Sequence, residues 1–539
     1  MLSSLILVAA PAALPLQDVG QAVLRDGDVL SNGWTVDAIR RPSIADSGEW
    51  VALVGTTQSA AGPDEAVVTS GGTVVLAEGD TLGTGAVVRQ LLDAELDATG
   101  LLAVLANIET GGGATSSQLV VDGQLVTQTG NGVGGAGLPS GARVFTMSDV
   151  DFAFPFLFVR AKLDTNTAPP FEAFLRIELP PSGPPIVEAV AFERGTLPGG
   201  AGPNGTVFYR GTVAADGSYL AALPQDVVGP NDTTVVARDG VAQYVEGTPG
   251  PIPGTTWLHQ TTPAIAKAPG PSFAVSSTLR ETGGAVRGIV VGNNLILGYE
   301  GQAVLGDPSL VVGNFSEVAL DQSVDGTTFY KLPTTTGSVI VADGDVLVRS
   351  TVDTAGGVPI ASTKVATEQS LAVRGDGDQL LAEVELVGGV SALLLIERRV
   401  GTVVPCTANP NSTGVPGRTF GIGQSFVAAN DLTVVAFDLP PNVFGLLGCS
   451  RTAAFVPNPG GSAGNLCLGG QVGRYSDQIG LSGPLGVIAT TIDLTAIPQP
   501  TAFVPGMVGE VWGFQLWHRD VDAAGQTSNF TEALAVELR

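Results

Sequence analysis

An all-β fold, a seven-bladed β-propeller followed by a C-terminal β-sandwich, is what three features of this sequence predict. The apolar residues come in short bursts cut by Gly, Pro, Asp and Asn. A unit of about 52 residues recurs from residue 18 to residue 400. Beyond residue 400 that rhythm stops and the texture changes.

The composition bounds what such a chain can do. Of 539 residues, 73 are Gly, 36 are Pro and only 14% are charged. A mean hydropathy of +0.31 would suit a membrane protein, but no internal apolar run approaches the roughly 20 residues a spanning helix requires. Asp and Glu number 51 against 25 Lys and Arg, a net charge of −26. A protein that grips phosphate needs a basic patch, so nucleic acid is excluded as a partner and an anionic membrane surface is disfavoured. Acidity suits a chain that stays soluble with few charges; it permits Ca²⁺ binding without demonstrating it.

The chain opens with MLSSLILVAAPAALPL, apolar from Leu5 to Ala10 and small-residued to Ala13. This reads as a secretory leader, residues 1–17, cleaved between Ala10 and Gln17. Its positive start is missing, since no Lys or Arg precedes Arg25. The competing reading, a buried first strand, is opposed by Pro11 and Pro15. The expected destination is secretion or the cell surface, with no transmembrane segment once the leader is removed.

The recurring unit is an apolar strand, a two-residue turn, a second apolar strand and a closing glycine. It reads Val67–Ser70, Gly71-Gly72, Thr73–Leu76, Gly79, and returns around Asp122-Gly123, Asp239-Gly240, Asn293-Asn294 and Asp343-Gly344. Those pairs tolerate positive φ, which a two-residue hairpin demands. Closing glycines fall at Gly27, Gly79, Gly130, Gly195, Gly247 and Gly301. The longer third step holds Pro180–Pro185, an extended loop. A second, acidic turn precedes another apolar strand in each unit, as in Asp46-Ser47-Gly48, Asp97–Gly100, Asp216-Gly217, Asp325-Gly326 and Asp376-Gly377-Asp378. Four strands per unit and seven units give a propeller, whose blades bury their faces against neighbours; six or eight blades are the alternatives, because the third unit is irregular. The seventh unit ends with Ala392–Ile396 and lacks its hairpin partner. Ala22–Arg25 supplies that partner, so these two segments are expected to pair and close the ring. Asp97-Ala98-Thr99-Gly100-Leu101-Leu102-Ala103-Val104 resembles the N-x-x-G-x-x-A-F tandem repeats of secreted bacterial proteins, with Asp for Asn and Val for Phe. The resemblance spans residues 20–400 and implies a repeat fold, not an activity.

Residues 401–539 carry Asn-rich turns and all three cysteines, which allow one bridge and one spare thiol. Phe426-Val427, Leu432–Phe437, Leu485–Ala489 and Val511–Trp517 read as strands of a compact sandwich. Cys406, Asn411–Gly414, Cys467–Gly470, Gly473–Tyr475, Phe514–Asp520 and Ser528–Phe530 together resemble a C-terminal domain common in secreted planctomycete proteins. That resemblance implies a Cys406–Cys467 disulfide with Cys449 as an extra thiol, and no activity.

The chemistry-bearing residues are sparse. His259 and His518 lie in different domains, so no His cluster or dyad forms, and both read as packed strand residues. Gly130–Gly135 spells G-x-G-x-x-G but runs into more Gly and Pro139 rather than a helix, and reads as a loop. Ser43–Trp50 and Ser323–Phe329 approach the Asp-box turn of sialidase-like propellers, a structural hairpin. Asp26-Gly27-Asp28, Asp343-Gly344-Asp345 and Asp376–Asp378 fall short of a calcium loop and read as hairpins. Arg474, Arg519 and Asp520 suggest an ion pair within the sandwich. No catalytic, cofactor or metal residue is nominated.

Two functions remain. The first is a non-enzymatic, monomeric, extracellular recognition or structural protein that presents a propeller face to a glycan or surface protein. The second is a polysaccharide hydrolase or lyase with carboxylates at the channel mouth. Two inward carboxylates about 5–9.5 Å apart beside an arginine or aromatic platform would favour the second.

Overall fold

A computed structural model describes residues 18–538, apart from 59–61, 83–84, 110–112, 114, 166–168, 199–201, 207, 226–232, 266–271, 294, 306, 325, 344, 366–368, 376, 378, 398–399, 405, 424, 426, 428–429, 431, 484–485 and 523–524. The expected leader, residues 1–17, lies outside the described residues. So do Asn294, Asp325, Gly344, Asp376 and Asp378 of the expected turns, and Phe426 and Leu485 of the expected strands. The described chain is all-β, its only helical turns being Ser70–Gly72 and Pro459–Gly461. It divides into two compact units, residues 1–396 and 397–539.

The first unit is a β-propeller built from four-stranded antiparallel sheets in chain order. Sheet 1 spans Thr35–Ala77, sheet 2 Val87–Gln128, sheet 3 Arg143–Phe192, sheet 4 Arg210–Val245, sheet 5 Thr255–Tyr299 and sheet 6 Leu320–Arg349. Sheet 7 takes Leu371–Val373, Gln379–Leu386 and Val390–Glu397 and adds Asp18–Arg25 from the far end of the unit. The first strand of each sheet packs against the first strand of the next, and that of sheet 7 against that of sheet 1. Closure is antiparallel, with Gln21 opposite Leu395, Ala22 opposite Leu394 and Arg25 opposite Ala392. The closing sheet also recruits Thr354–Ala355, which pair in parallel with Asp18–Gly20, and Val358–Ser362 beyond them.

Local chemistry explains the repetition. The hairpin pairs hold positive φ, with Asp122 at 48° and Gly123 at 74°, and Asp239 at 48° and Gly240 at 79°, as the strands' twist requires. The Pro180–Pro185 insert occupies the equivalent hairpin of sheet 3, between Phe171–Glu178 and Ile186–Phe192. Middle strands are buried on both faces; every residue of Tyr219–Gln225 is buried. Cores therefore lie between sheets. Val51 and Leu53 of sheet 1 meet Leu91 and Val104 of sheet 2, and Leu381 and Leu393 of sheet 7 meet Trp50 of sheet 1.

In the second unit Phe444–Ser450, Val511–Asp522, Gly525–Phe530 and Leu534–Glu537 belong to one sheet, and Arg418–Gly423, Leu432–Phe437 and Ile488–Ile492 form another. Trp512, Phe514 and Leu516 of the larger sheet share a core with Leu432, Val434 and Ile492 of the smaller. The strand expected over 485–489 starts later, at Ile488, because Gly486 takes φ 67°. Cys406 is disulfide-bonded to Cys467 and Cys449 is a buried free thiol.

Candidate ligand site at the channel mouth

The first strands carry a feature that alternation does not reveal. Their pairing slips twice, at Val36/Ala38 and Arg40/Ser43 in sheet 1, Val88/Gln90 and Leu91/Asp93 in sheet 2, and Val144/Thr146 and Met147/Asp149 in sheet 3. Each slip is a bulge that bends the strand and re-aims its side chains.

Backbone N–H groups in or beside the first strands are taken by an acceptor on the neighbouring sheet. Asp93 Oδ2 accepts from Val150 N–H at 2.9 Å, joining sheets 2 and 3. Asp151 Oδ2 accepts from Val213 N–H at 2.7 Å and from the Thr212 hydroxyl at 2.9 Å, joining sheets 3 and 4. Asp321 Oδ2 accepts from Val373 N–H at 2.9 Å, joining sheets 6 and 7. Asp46 Oδ1 accepts from Gly375 N–H at 3.0 Å, joining sheets 1 and 7. Hydroxyls do the same elsewhere. Ser43 Oγ accepts from Leu96 N–H at 2.9 Å, and Ser276 Oγ from Val318 N–H at 3.0 Å.

A cavity of about 230 Å³ opens where these first strands end. Every sheet of the ring contributes to it. Its polar lining includes Ser43, Glu95, Asp151, Arg210 and Asp321, and its apolar wall includes Pro263 and Val373. Asp151 and Asp321 are the same carboxylates that hold the adjoining sheets. Arg210 has no ion pair among the described residues.

Two residues upstream of Glu95 and Asp151, on the same strand faces, stand Asp93 and Asp149. The Arg41 guanidinium spans them, Nη1 on Asp93 and Nη2 on Asp149 at 2.9 Å. Arg160 lies 3.7 Å from the other Asp149 oxygen. Burial pushes the Asp93 carboxyl up to about 6, against the pull of Arg41 and the backbone donors. The Arg41 guanidinium is held above its ordinary value, Asp93, Asp149 and Glu95 outweighing its own burial.

No protein-family model matches the chain, and no curated protein matches it. Among solved structures it is similar to an α-L-arabinanase of Penicillium chrysogenum complexed with arabinobiose. The identity there is 11% and the TM-score 0.31, over 71% of this chain and 99% of that one. It is also similar to a putative oxidoreductase (glucose dehydrogenase) of Thermus thermophilus, at 12% identity and TM-score 0.26, over 56% and 95%. Bacteroides ovatus "Xyloglucan PUL GH43B" aligns at 12% identity and TM-score 0.22, over 97% and 91%.

The residues singled out in the sequence fall mostly outside the cavity. His259 lies on the first strand of sheet 5, opposite Thr278. Gly130–Gly135 connects sheets 2 and 3, Gly132 bridging to Arg143 and Gly134 to Glu188. Asp26 accepts from Ser391 N–H, Asp28 from Arg25 N–H and Asp343 from Thr328 N–H, so these carboxylates tie turns. Among the described residues no group of three or more His, Cys, Asp or Glu side chains is placed to hold a metal.

The second unit's motif residues do converge, on an amide network. Asn529 Nδ2 donates to the Pro410 carbonyl at 3.1 Å and to Asp520 Oδ2 at 3.3 Å, while Asp520 Oδ1 accepts from Ser412 N–H at 3.1 Å. Gln515 Nε2 donates to the Asn465 and Thr531 carbonyls, and Gln515 Oε1 accepts from Cys467 N–H. The ion pair expected of Asp520 is absent among the described residues. Its partners are amide donors, and Arg474 and Arg519 are exposed. His518 is fully buried beside this network, its Nδ1 3.0 Å from the Arg519 carbonyl, and burial holds its pKa below the ordinary histidine value.

Glu95, Asp151, Arg210 and Asp321 were missed by sequence reasoning. The available signal was Asp93-x-Glu95-x-Asp97 and Asp149-x-Asp151, acidic residues at strand period on one face, just before the turn.

Proposed function

We propose that the sheets of residues 18–396 are the seven blades of a propeller, that residues 397–539 are a sandwich, and that the protein is a secreted or cell-surface recognition module. Its channel mouth receives a single sugar-sized group of a larger glycan. The observation that carries this reading is the division of labour around the cavity. Asp151 and Asp321 are occupied as acceptors between blades. Glu95, whose charge also acts on Arg41, and Arg210 add a carboxylate and a guanidinium to the same lining, groups that hydrogen-bond sugar hydroxyls. A hydrolase needs one carboxyl free to give a proton and another free to attack or activate water, and interblade acceptors are poor candidates for either. The volume lies just below the roughly 300–1,000 Å³ of drug-sized pockets, which fits one ring rather than an oligosaccharide. The disulfide supports an oxidising destination.

The test is a glycan array read with the intact protein and with Glu95→Gln and Arg210→Gln. Losing one charged hydrogen bond costs about 1.5–3 kcal/mol, so each variant is expected to bind at least tenfold more weakly with its fold unchanged. Variants that bind as tightly as the parent overturn the reading. Release of reducing ends from any array hit, abolished in Glu95→Gln, establishes the hydrolase instead.

A further inference from the structure

Beneath the cavity, Arg41 holds the first strands of three sheets together, and nothing in the proposed recognition role uses it. Its backbone sits at φ 48°, in the left-handed region that non-glycine residues rarely adopt. It falls within the slip between Arg40 and Ser43, where strand pairing is interrupted. Its side chain is therefore the tie that keeps this bulge in place, one N–H group on Asp93 of sheet 2 and one on Asp149 of sheet 3.

We propose that Arg41 is an acid-released latch at the channel: when Asp93 takes a proton from solvent it becomes a neutral acid, and the guanidinium is left on Asp149 alone. The bulge of sheet 1 then relaxes, and the floor of the cavity loosens with it. This does not depend on what the cavity binds.

The groups around Asp93 set the direction. From sheet 1 it faces Arg41, and from sheet 3 it faces Asp149 and the Val150 N–H. Its own strand contributes the Ala94 N–H at 3.0 Å and, through its field on Arg41, Glu95. Asp149 is backed by Arg160, and Arg160 by Glu172 at 3.6 Å, which Lys162 also approaches at 3.6 Å. Asp149 thus stays paired, with Arg41 and Arg160 both beside it, when Asp93 is neutralised. Asp93 has no other cation among the described residues, no solvent exposure, and a carboxyl pushed up to about 6. Because that value lies above the ordinary carboxylate, the folded protein takes up a proton between about pH 4 and 6 that the unfolded chain does not. Acid through this group therefore opens the latch without favouring unfolding.

Hydrogen exchange with mass spectrometry on the full chain tests it, at about pH 5 and about pH 7.5 after scaling for intrinsic chemistry. Peptides covering residues 38–44 are expected to lose protection about thirtyfold at the lower pH, because the protonated share of a carboxyl with its midpoint at about 6 rises from roughly 3% to roughly 90%. Asp93→Asn is expected to show the low protection at both pH values. Arg41→Gln does the same and serves if Asp93→Asn does not fold. Equal protection of the parent at both pH values overturns the proposal, as does a pH step that persists in either variant.

Discussion

The ring and the C-terminal unit solve the problem of buried polar groups in opposite ways. In the ring, single carboxylates and hydroxyls reach from one sheet to a stranded N–H on the next, and such ties recur from joint to joint (Asp93, Asp151, Asp321, Asp46). In the C-terminal unit, neutral amides hold the segment around residues 406–412: Asn465 and Asn529 donate to its carbonyls, Asn409 donates from it to the Ala463 carbonyl, and Gln515 braces Asn465, while the disulfide also anchors it. A repeat array spreads its stability over neighbouring interfaces, whereas a lone compact unit concentrates it. The ring should thus fail at its seam, and the C-terminal unit at its staple.

Removing Asp18–Arg25 is the largest break. It exposes the edge of Val390–Glu397 and discards the buried Leu24. The loss should exceed the ~2–5 kcal/mol of a single buried leucine, and calorimetry should show the ring's transition collapse while that of the C-terminal unit persists. An unchanged ring transition would mean that the seam carries no load.

Next comes Cys406→Ser with Cys467→Ser. The bridge spans 61 positions, and loop-closure entropy puts its contribution at about 4 kcal/mol. The drop should appear in the C-terminal transition alone; a matching drop in the ring would erase the contrast.

The smallest effect concerns Lys331, fully buried at the joint of sheets 6 and 7, where Nζ donates to Ser370 Oγ at 2.7 Å and to the Glu383 carbonyl at 2.8 Å. Burial depresses its pKa to about 7, with Glu383 opposing and Lys364 assisting. The folded value lies below the unfolded one, so the unfolded chain binds more protons above about pH 7. Ring stability should therefore rise with pH from about 7 to 9, by at most about 1.4 kcal/mol per unit, and fall as pH returns to 7. Lys331→Met should flatten that slope in denaturant melts. The neutral amides of the C-terminal unit should give none in this window.

This contrast also explains what could be read from the sequence. The hairpins were legible because Asp122-Gly123 and Asp239-Gly240 encode their positive φ locally, and the seam because Ala392–Ile396 lacked a partner that Ala22–Arg25 could supply. The disulfide came from resemblance; three cysteines alone leave the pairing open. The cavity was not legible. Its polar residues sit a full repeat apart and meet only when first strands converge, and bulges at positions such as Leu91/Asp93 shift the period on which face assignments depend. Thr354–Ala355 beside Asp18–Gly20 is likewise a non-local parallel pair with no local mark. Asp46 read as a turn residue and is one, yet its carboxylate also holds Gly375.

The antiparallel pairing of Arg25 with Ala392 sets a timetable for biosynthesis. At ribosomal speeds of about 5–20 residues per second, the early strand waits roughly 20–70 seconds before its mate has been made. Through that interval its apolar side chains are an open invitation to the wrong neighbour, and a chaperone that keeps the nascent chain extended would protect the ring until its seam can close.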